Sequence, residues 1–330
     1  MDRCGGRREC EDRGASGSFL VFRIQFSEEG VDVNQELNEI LKSVSRSFYL
    51  SLRFLPKGFR EPTSVGYLLA RLSDTIADAG DELVGARQEM LEAFMNAVCT
   101  GENAHLAAIT EIKGVSEGEA VLLQKSGGCL DALAKLPEWQ QRAVRHVVGI
   151  ITEGQSWDLT RFKKDGVVRL EKDEELRHYT YQVAGCVGEF WTELGFGLGE
   201  FSRVGRKQMD EWGQSFGRAL QLINILRDVP EDLGNGRCYL PGEAPVTSEI
   251  LMEERGRWIE EAHAGLDDAE RYAESLLGKR MRFATILPAL IGRETLSRLE
   301  GACWEEWQGR VKVTRSEIRA MIWQAVKFAL

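Results

Sequence analysis

An all-α fold, built as one helical domain, is what this 330-residue chain predicts. Three observations carry that expectation. Apolar residues recur at helical spacing from Val33 onward, no stretch sustains an alternation of apolar and polar residues, and only 7 prolines interrupt the chain. The length would allow one large or two ordinary domains, but no linker-like stretch or short repeat divides it. With 43% apolar and 28% charged residues, such a chain buries a core without disulfide or metal staples.

In chain order, residues 1–33 are rich in Gly, Arg, Glu and Ser, with the strand-like island Phe19–Phe26, and read as a disordered extension. The helical domain is expected over 34–330. Its first helix, 34–51, gives way to the turn chemistry of Leu55-Pro56-Lys57-Gly58. Helices over 62–79, 85–100, 103–112 and 116–136 follow, and Pro137 opens the next, 138–160. The helix 171–198 runs into Gly195, Gly197 and Gly199, read as a helix end and not as a dinucleotide loop. Gly234-Asn235-Gly236-Arg237 and Pro241 separate 204–233 from 247–277, and 281–300 and 314–328 complete the set.

Several function classes drop out. A net charge of −10 offers no basic footprint for nucleic acid. Seven scattered cysteines without a C-x-x-C pair read as reduced thiols, which places the protein in the cytoplasm. No apolar run is long enough to span a bilayer, although a strongly apolar substrate would bring the protein to a membrane surface peripherally. His105, His146, His178 and His263 have no zinc spacing, and neither a P-loop nor a G-x-S-x-G elbow is present.

What stands out is two acidic pairs at i,i+4 spacing. At about 100° per residue, Tyr67, Arg71, Asp74 and Asp78 share a sector of roughly 60°, flanked by Leu68, Leu69, Leu72 and Ile76. Gln221, Asn224, Asp228 and Asp232 share roughly 80° in an equally apolar setting, with Arg227 beside them. A lone D-x-x-x-D is a solvated face or a surface ion pair. Two such stripes inside apolar helices point instead to magnesium, which takes one or two carboxylates plus substrate phosphates. Arg71, Arg227 and Arg237 would complete a clamp on a diphosphate. Pro230 lies between Asp228 and Asp232 and is expected to kink or end that helix.

Four ordered blocks resemble the squalene and phytoene synthases, which join two prenyl diphosphates head to head. They are Ser45-Arg46-Ser47-Phe48 with Leu55-Pro56, the stretch from Arg71 to Asp78, the stretch from Tyr179 to Gly188, and Gln221 to Asp232 followed by Gly236-Arg237-Cys238-Tyr239-Leu240-Pro241. The resemblance implies the single-domain isoprenoid synthase fold, a helical bundle around a central cavity. It also implies magnesium on Asp74, Asp78, Asp228 and Asp232, and diphosphate contacts from Ser45, Ser47, Arg71, Gln221, Asn224, Arg227 and Arg237, with Phe48 and Tyr67 beside the substrate. Tyr179 matches a family tyrosine proposed to aid ionisation or proton removal. Without the other blocks, Ser45 could simply cap a helix, Gly185 and Gly188 could serve helix packing, and Tyr179 could be a core aromatic.

The expected reaction is condensation of two farnesyl diphosphates through presqualene diphosphate to squalene, with NADPH as reductant and the protein acting as a monomer. Thr75 in D-T-x-x-D is squalene-synthase-like, whereas Tyr239-Leu240-Pro241 is closer to carotenoid-type tails. Phytoene, dehydrosqualene or released presqualene diphosphate therefore stay open as products. A noncatalytic assembly relative is disfavoured by four intact aspartates, and a terpene cyclase by the Y-x-Y-x-V-A-G block.

Overall fold

A computed structural model describes residues 35–45, 48–79, 82–163, 166–243 and 245–330. The expected extension over 1–33, its Phe19–Phe26 island and Ser47 lie outside the described residues. The helices are α1 (Gln35–Ser45), α2 (Phe48–Phe54), α3 (Lys57–Ala77), α4 (Val84–Thr100), α5 (Glu117–Gln124), α6 (Ser126–Lys135), α7 (Glu138–Arg161), α8 (Asp173–Thr180), α9 (Cys186–Gly197), α10 (Arg206–Gly234), α11 (Ser248–Ser275), α12 (Lys279–Gly301), α13 (Trp304–Gln308) and α14 (Arg315–Ala329). Two short strands, β1 (Val168–Arg169) and β2 (Arg237–Cys238), pair in parallel. The all-α expectation is met.

Four expected helices are subdivided. The 34–51 helix is α1 and α2, and 103–112 is two 3₁₀ turns, Asn103–Leu106 and Ala108–Glu111. The 116–136 helix divides at Lys125, where Ser126, Gly127 and Gly128 follow in sequence and each glycine costs about 1 kcal/mol of helix propensity. Between α8 and α9 the chain winds through one π turn, Tyr181–Gly185.

Pro230 does not end α10, which continues through it to Gly234. A proline there leaves the Leu226 carbonyl without its helical donor. Trp307 of α13 supplies the replacement, its indole Nε1 donating to Leu226 O at 2.6 Å. Pro62 inside α3 is handled the same way, since Gln140 Nε2 donates to the Gly58 carbonyl at 3.4 Å.

α10 sits centrally, packed against α9, α11 and α12, while α3 lies along α7. Leu222, Ile223, Ile225, Leu226 and Val229 bury one face of α10 among Trp258, Ile259 and Trp307. Its contact with α9 is backbone on backbone. A Cβ on Gly188 would lie 2.0 Å from Gly213 O, and one on Gly217 would lie 2.2 Å from Ala184 O. Neither neighbour can swing away as a side chain would. Gly188→Ala is therefore expected to cost about 3 kcal/mol, the upper range of overpacking, and Gly256→Ala, with open space around it, nothing. Thermal melts check this, and equal melting temperatures for the two variants would contradict it.

Candidate active site

Both acid pairs fall at the C-terminal ends of their helices. Asp74 is in the last turn of α3 and Asp78 caps it, while Asp228 and Asp232 lie in the closing turns of α10. The negative end of a helix dipole disfavours carboxylates, so folding alone gains nothing from this placement. Asp74 and Asp232 are also driven towards their protonated forms. Burial, then the Asp78 charge, raises Asp74 to about 6 against the pull of Arg71. Burial, then Asp228, raises Asp232 to about 7 against the pull of Arg237. Asp78 is raised as well, by burial.

The positive side of the site is equally built. Arg71 pairs with Asp74 and, across to α5, with Glu119. Glu119 is itself fixed in a capping box, accepting from the Ser116 N–H at 2.9 Å and the Ser116 hydroxyl at 2.7 Å. Arg87 donates to the Ala77 carbonyl at 2.7 Å and holds the end of α3.

A buried hub joins the halves. Asp158 of α7 accepts from the Tyr239 hydroxyl at 2.6 Å and from Arg237 Nη1 at 3.1 Å. The β1–β2 ladder puts Arg237 opposite Val168, and Arg169 then clamps the following segment through the Leu240, Pro241 and Glu243 carbonyls. Tyr179 is buried with its ring 5.2 Å from Tyr239, nearly parallel, and 5.6 Å from Trp157. Burial, then Tyr239, holds the Tyr179 phenol well above its ordinary range, so it keeps its proton. The charge of Arg237 acts on both Asp78 and Asp232, and this one guanidinium thus serves both acid motifs.

Other expected site residues are less gathered. Ser45 is buried and donates to the Leu41 carbonyl of its own helix. Tyr67 donates to Val44 O at 3.2 Å, which ties α3 to the end of α1. Phe48 opens α2. Asn224 is exposed and donates to Gln221 Oε1 at 3.4 Å. Asp228 is held by Arg227 on its own helix, Nε to Oδ1 at 2.9 Å, with Arg310 Nη2 at 3.8 Å. Among the described residues, no three acidic, histidine or cysteine side chains form a ready cation site. The carboxylates are hard oxygen donors at the ends of two helices, suited to a cation that brings further oxygens with it.

An apolar cavity of about 170 Å³ lies along the same α10 stripe, lined by Val187, Trp191, Phe216, Leu220, Tyr272 and Pro288 among others. Leu220 precedes Asp228 by two helical turns, roughly 12 Å.

Asp158, Glu119, Arg87 and Arg310 were not expected from sequence. Only Asp158 left a signal there. It ends the stripe Val144, Val148, Ile151, Gln155, Asp158, an acid placed on the buried face of α7. Glu119 and Arg310 depend on partners far away in the chain, Arg71 and Asp228, and Arg87 on a carbonyl ten residues back at the end of α3.

The family model described as Squalene/phytoene synthase matches residues 41–317. A phytoene synthase of Thermus thermophilus is 30% identical over 229 residues, covering 69% of this chain and 64% of that protein. A presqualene diphosphate synthase of Zymomonas mobilis is 26% identical over 318 residues, covering 92% of this chain and 94% of that protein. In structure, a ligand complex of TcSQS superposes with a TM-score of 0.74 at 21% identity, covering 88% of this chain and 85% of that one. The last likeness establishes the fold. None of the described helices is long and apolar enough to cross a membrane.

Proposed function

Because the chain belongs to the squalene/phytoene synthase family of head-to-head prenyl diphosphate synthases, we propose that it condenses two farnesyl diphosphates to presqualene diphosphate and reduces this with NADPH to squalene. The observation that carries the reading is the set of acids and arginines at the ends of α3 and α10, with an apolar cavity two helical turns further back along α10. A prenyl diphosphate has the same two-part character.

The donor set fits magnesium. Carboxylates crowded at helix C-termini, with raised protonation at Asp74 and Asp232, are the groups a divalent cation would relieve. Asp74, Asp78, Asp228 and Asp232 would hold the ions, which when bound neutralise charge on the departing diphosphate. Arg71, Arg227 and Arg237 present guanidinium forks to phosphate oxygens. Ser45, Ser47, Gln221 and Asn224 would add hydrogen bonds, with Phe48 and Tyr67 against the prenyl chain. Tyr179, protonated and stacked, suits donation to the leaving diphosphate better than proton removal. Trp191, Phe216 and Leu220 exclude water from the allylic cation. The cavity holds only part of a prenyl chain, so these side chains must part to admit two. NADPH comes into the proposal from the resemblance alone, and no residue is assigned to it.

The acidic shifts give a pH signature. In the folded protein Asp74 and Asp232 bind protons up to about 6 and about 7, whereas unfolded aspartates release them near 3.8. Between those limits the folded state binds more protons, so metal-free stability falls as pH rises through the window. Magnesium needs the carboxylate forms and should raise the melting temperature far more at about pH 8 than at about pH 5. Melts with and without magnesium at both values check this, and an equal shift at both would contradict it.

The reaction itself is tested by incubating purified protein with farnesyl or geranylgeranyl diphosphate and magnesium, with and without NADPH. Squalene formed only with NADPH is expected. Phytoene from the longer substrate, or no NADPH-dependent hydrocarbon, would overturn the squalene reading. A second outcome, presqualene diphosphate as the end product, is favoured by the near full-length match to the Zymomonas mobilis protein.

A further inference from the structure

The end of the bundle remote from the acidic mouth has a different character. It is formed by the α2–α3 turn, the loop between α9 and α10, and the loop between α11 and α12. Contacts lock these three together. Gly58 meets Leu198, Leu277 N donates to Phe201 O at 3.0 Å, and Arg203 N donates to Ser275 O at 2.8 Å. By helical rise this rim lies about 25–40 Å from the aspartates of α3 and α10.

Residues 53–60, 197–205 and 276–282 carry seven arginines or lysines and a single acid, Glu200, in a chain whose net charge is −10. Arg60, Arg203 and Arg282 each donate to a main-chain carbonyl of the rim, Leu55 O at 2.8 Å, Glu274 O at 3.2 Å and Leu276 O at 2.8 Å. Those bonds stiffen the loops and leave the positive charges in place. Arg53, Lys57 and Lys279 are exposed, and among the described residues no carboxylate pairs with them. The same loops expose Leu198 and Leu277, 46% and 43% open to solvent.

We propose that this rim docks the protein on an anionic lipid bilayer, with the cations against headgroup phosphates and Leu198 and Leu277 among the upper acyl carbons. Charge complementarity and the two exposed leucines select a lipid surface over an acidic protein, which would offer no apolar layer. Each surface lysine or arginine adds its own attraction to such a membrane, enough together for reversible binding. The interior agrees. Phe201, from the Leu198 loop, has ring centroids 6.3 Å from Phe59 and 6.2 Å from Tyr272, and Phe59 is 4.8 Å from Trp191. Trp191 and Tyr272 line the apolar cavity, so aromatic rings run from cavity to rim. An apolar product has its way out into lipid at that end; this clause alone rests on the reading given under Proposed function.

The test is co-sedimentation of the full chain, without substrate, on vesicles of phosphatidylglycerol with phosphatidylcholine and of phosphatidylcholine alone. Preferential binding to the anionic vesicles, weakened by salt, is expected. R53E/K57E/K279E should lower it at least about 10-fold, and L198D/L277D should lower it without removing the salt dependence. Because substrate is absent, a failed synthase assay leaves this result standing, and the reverse also holds. Circular dichroism melts confirm folding, and the milder K57S/K279S pair should give an intermediate loss if the triple variant unfolds. Equal binding to both vesicle types, or undiminished binding by folded charge variants, overturns the proposal. So does self-association in vesicle-free sedimentation velocity that L198D/L277D abolishes, which would assign the rim to a second copy of the chain.

Discussion

Asp74→Asn and Asp228→Asn are each expected to lower turnover by roughly 10²- to 10³-fold, the scale of losing one preorganised contact to developing charge, while the protein stays folded. Asparagine keeps the shape of the side chain and one oxygen but gives up the charge a divalent cation requires. The stability arm separates this from damage. Asp74 is repelled by Asp78 and sits in the last turn of α3, so its neutral replacement removes an unfavourable charge from the metal-free protein. Its melting temperature without magnesium should hold or rise, and the magnesium-induced increase should shrink. Asp74 accepts from Arg71 as Asp228 does from Arg227, but Asp228 also has Arg310 as a second neighbouring cation, so its replacement should cost some stability. Product formation from farnesyl diphosphate and melts with and without magnesium measure both. Near-normal turnover in both variants would remove the metal assignment.

The long helices were legible because their apolar stripes repeat locally, as in α3, α7 and α10. The same arithmetic placed Asp74 and Asp78 on one face, and Asp228 and Asp232 on another. What sequence could not give was where side chains go once helices meet. Asp228 turns to Arg227, and Ser45 to the carbonyl of Leu41. Pro230 was expected to kink or end its helix because proline removes a local hydrogen bond. The remedy, Trp307 donating to Leu226 O, comes from 81 residues away in sequence. The β1–β2 ladder is two residues long and has no alternating pattern to find, yet it fixes Arg237 between the acid motifs. Local periodicity reveals faces, and only tertiary contact reveals partners.

Asp158→Asn tests the hub that local reading did not assign. The carboxylate now accepts from Tyr239 and Arg237 at once. An amide has one acceptor oxygen and turns an N–H₂ towards donors, so either the phenol or the guanidinium loses its partner. Asp158 and Tyr239 are buried, and breaking a buried charge pair costs 3–5 kcal/mol where one charge is stranded. Arg237 keeps 28% of its side-chain surface open, which allows water to compensate. A loss of about 3 kcal/mol is therefore expected, at the low end of that range. Turnover should fall by about 10- to 100-fold, as when an outer partner of a site residue is removed, because Arg237 then drifts from Asp78 and Asp232. Tyr239→Phe is the discriminating companion. It deletes one donor to Asp158 but leaves the Arg237 pair, so it should cost less in both melts and turnover. If Tyr239→Phe proves as damaging to turnover as Asp158→Asn, the phenol and not the placement of Arg237 is what the hub supplies.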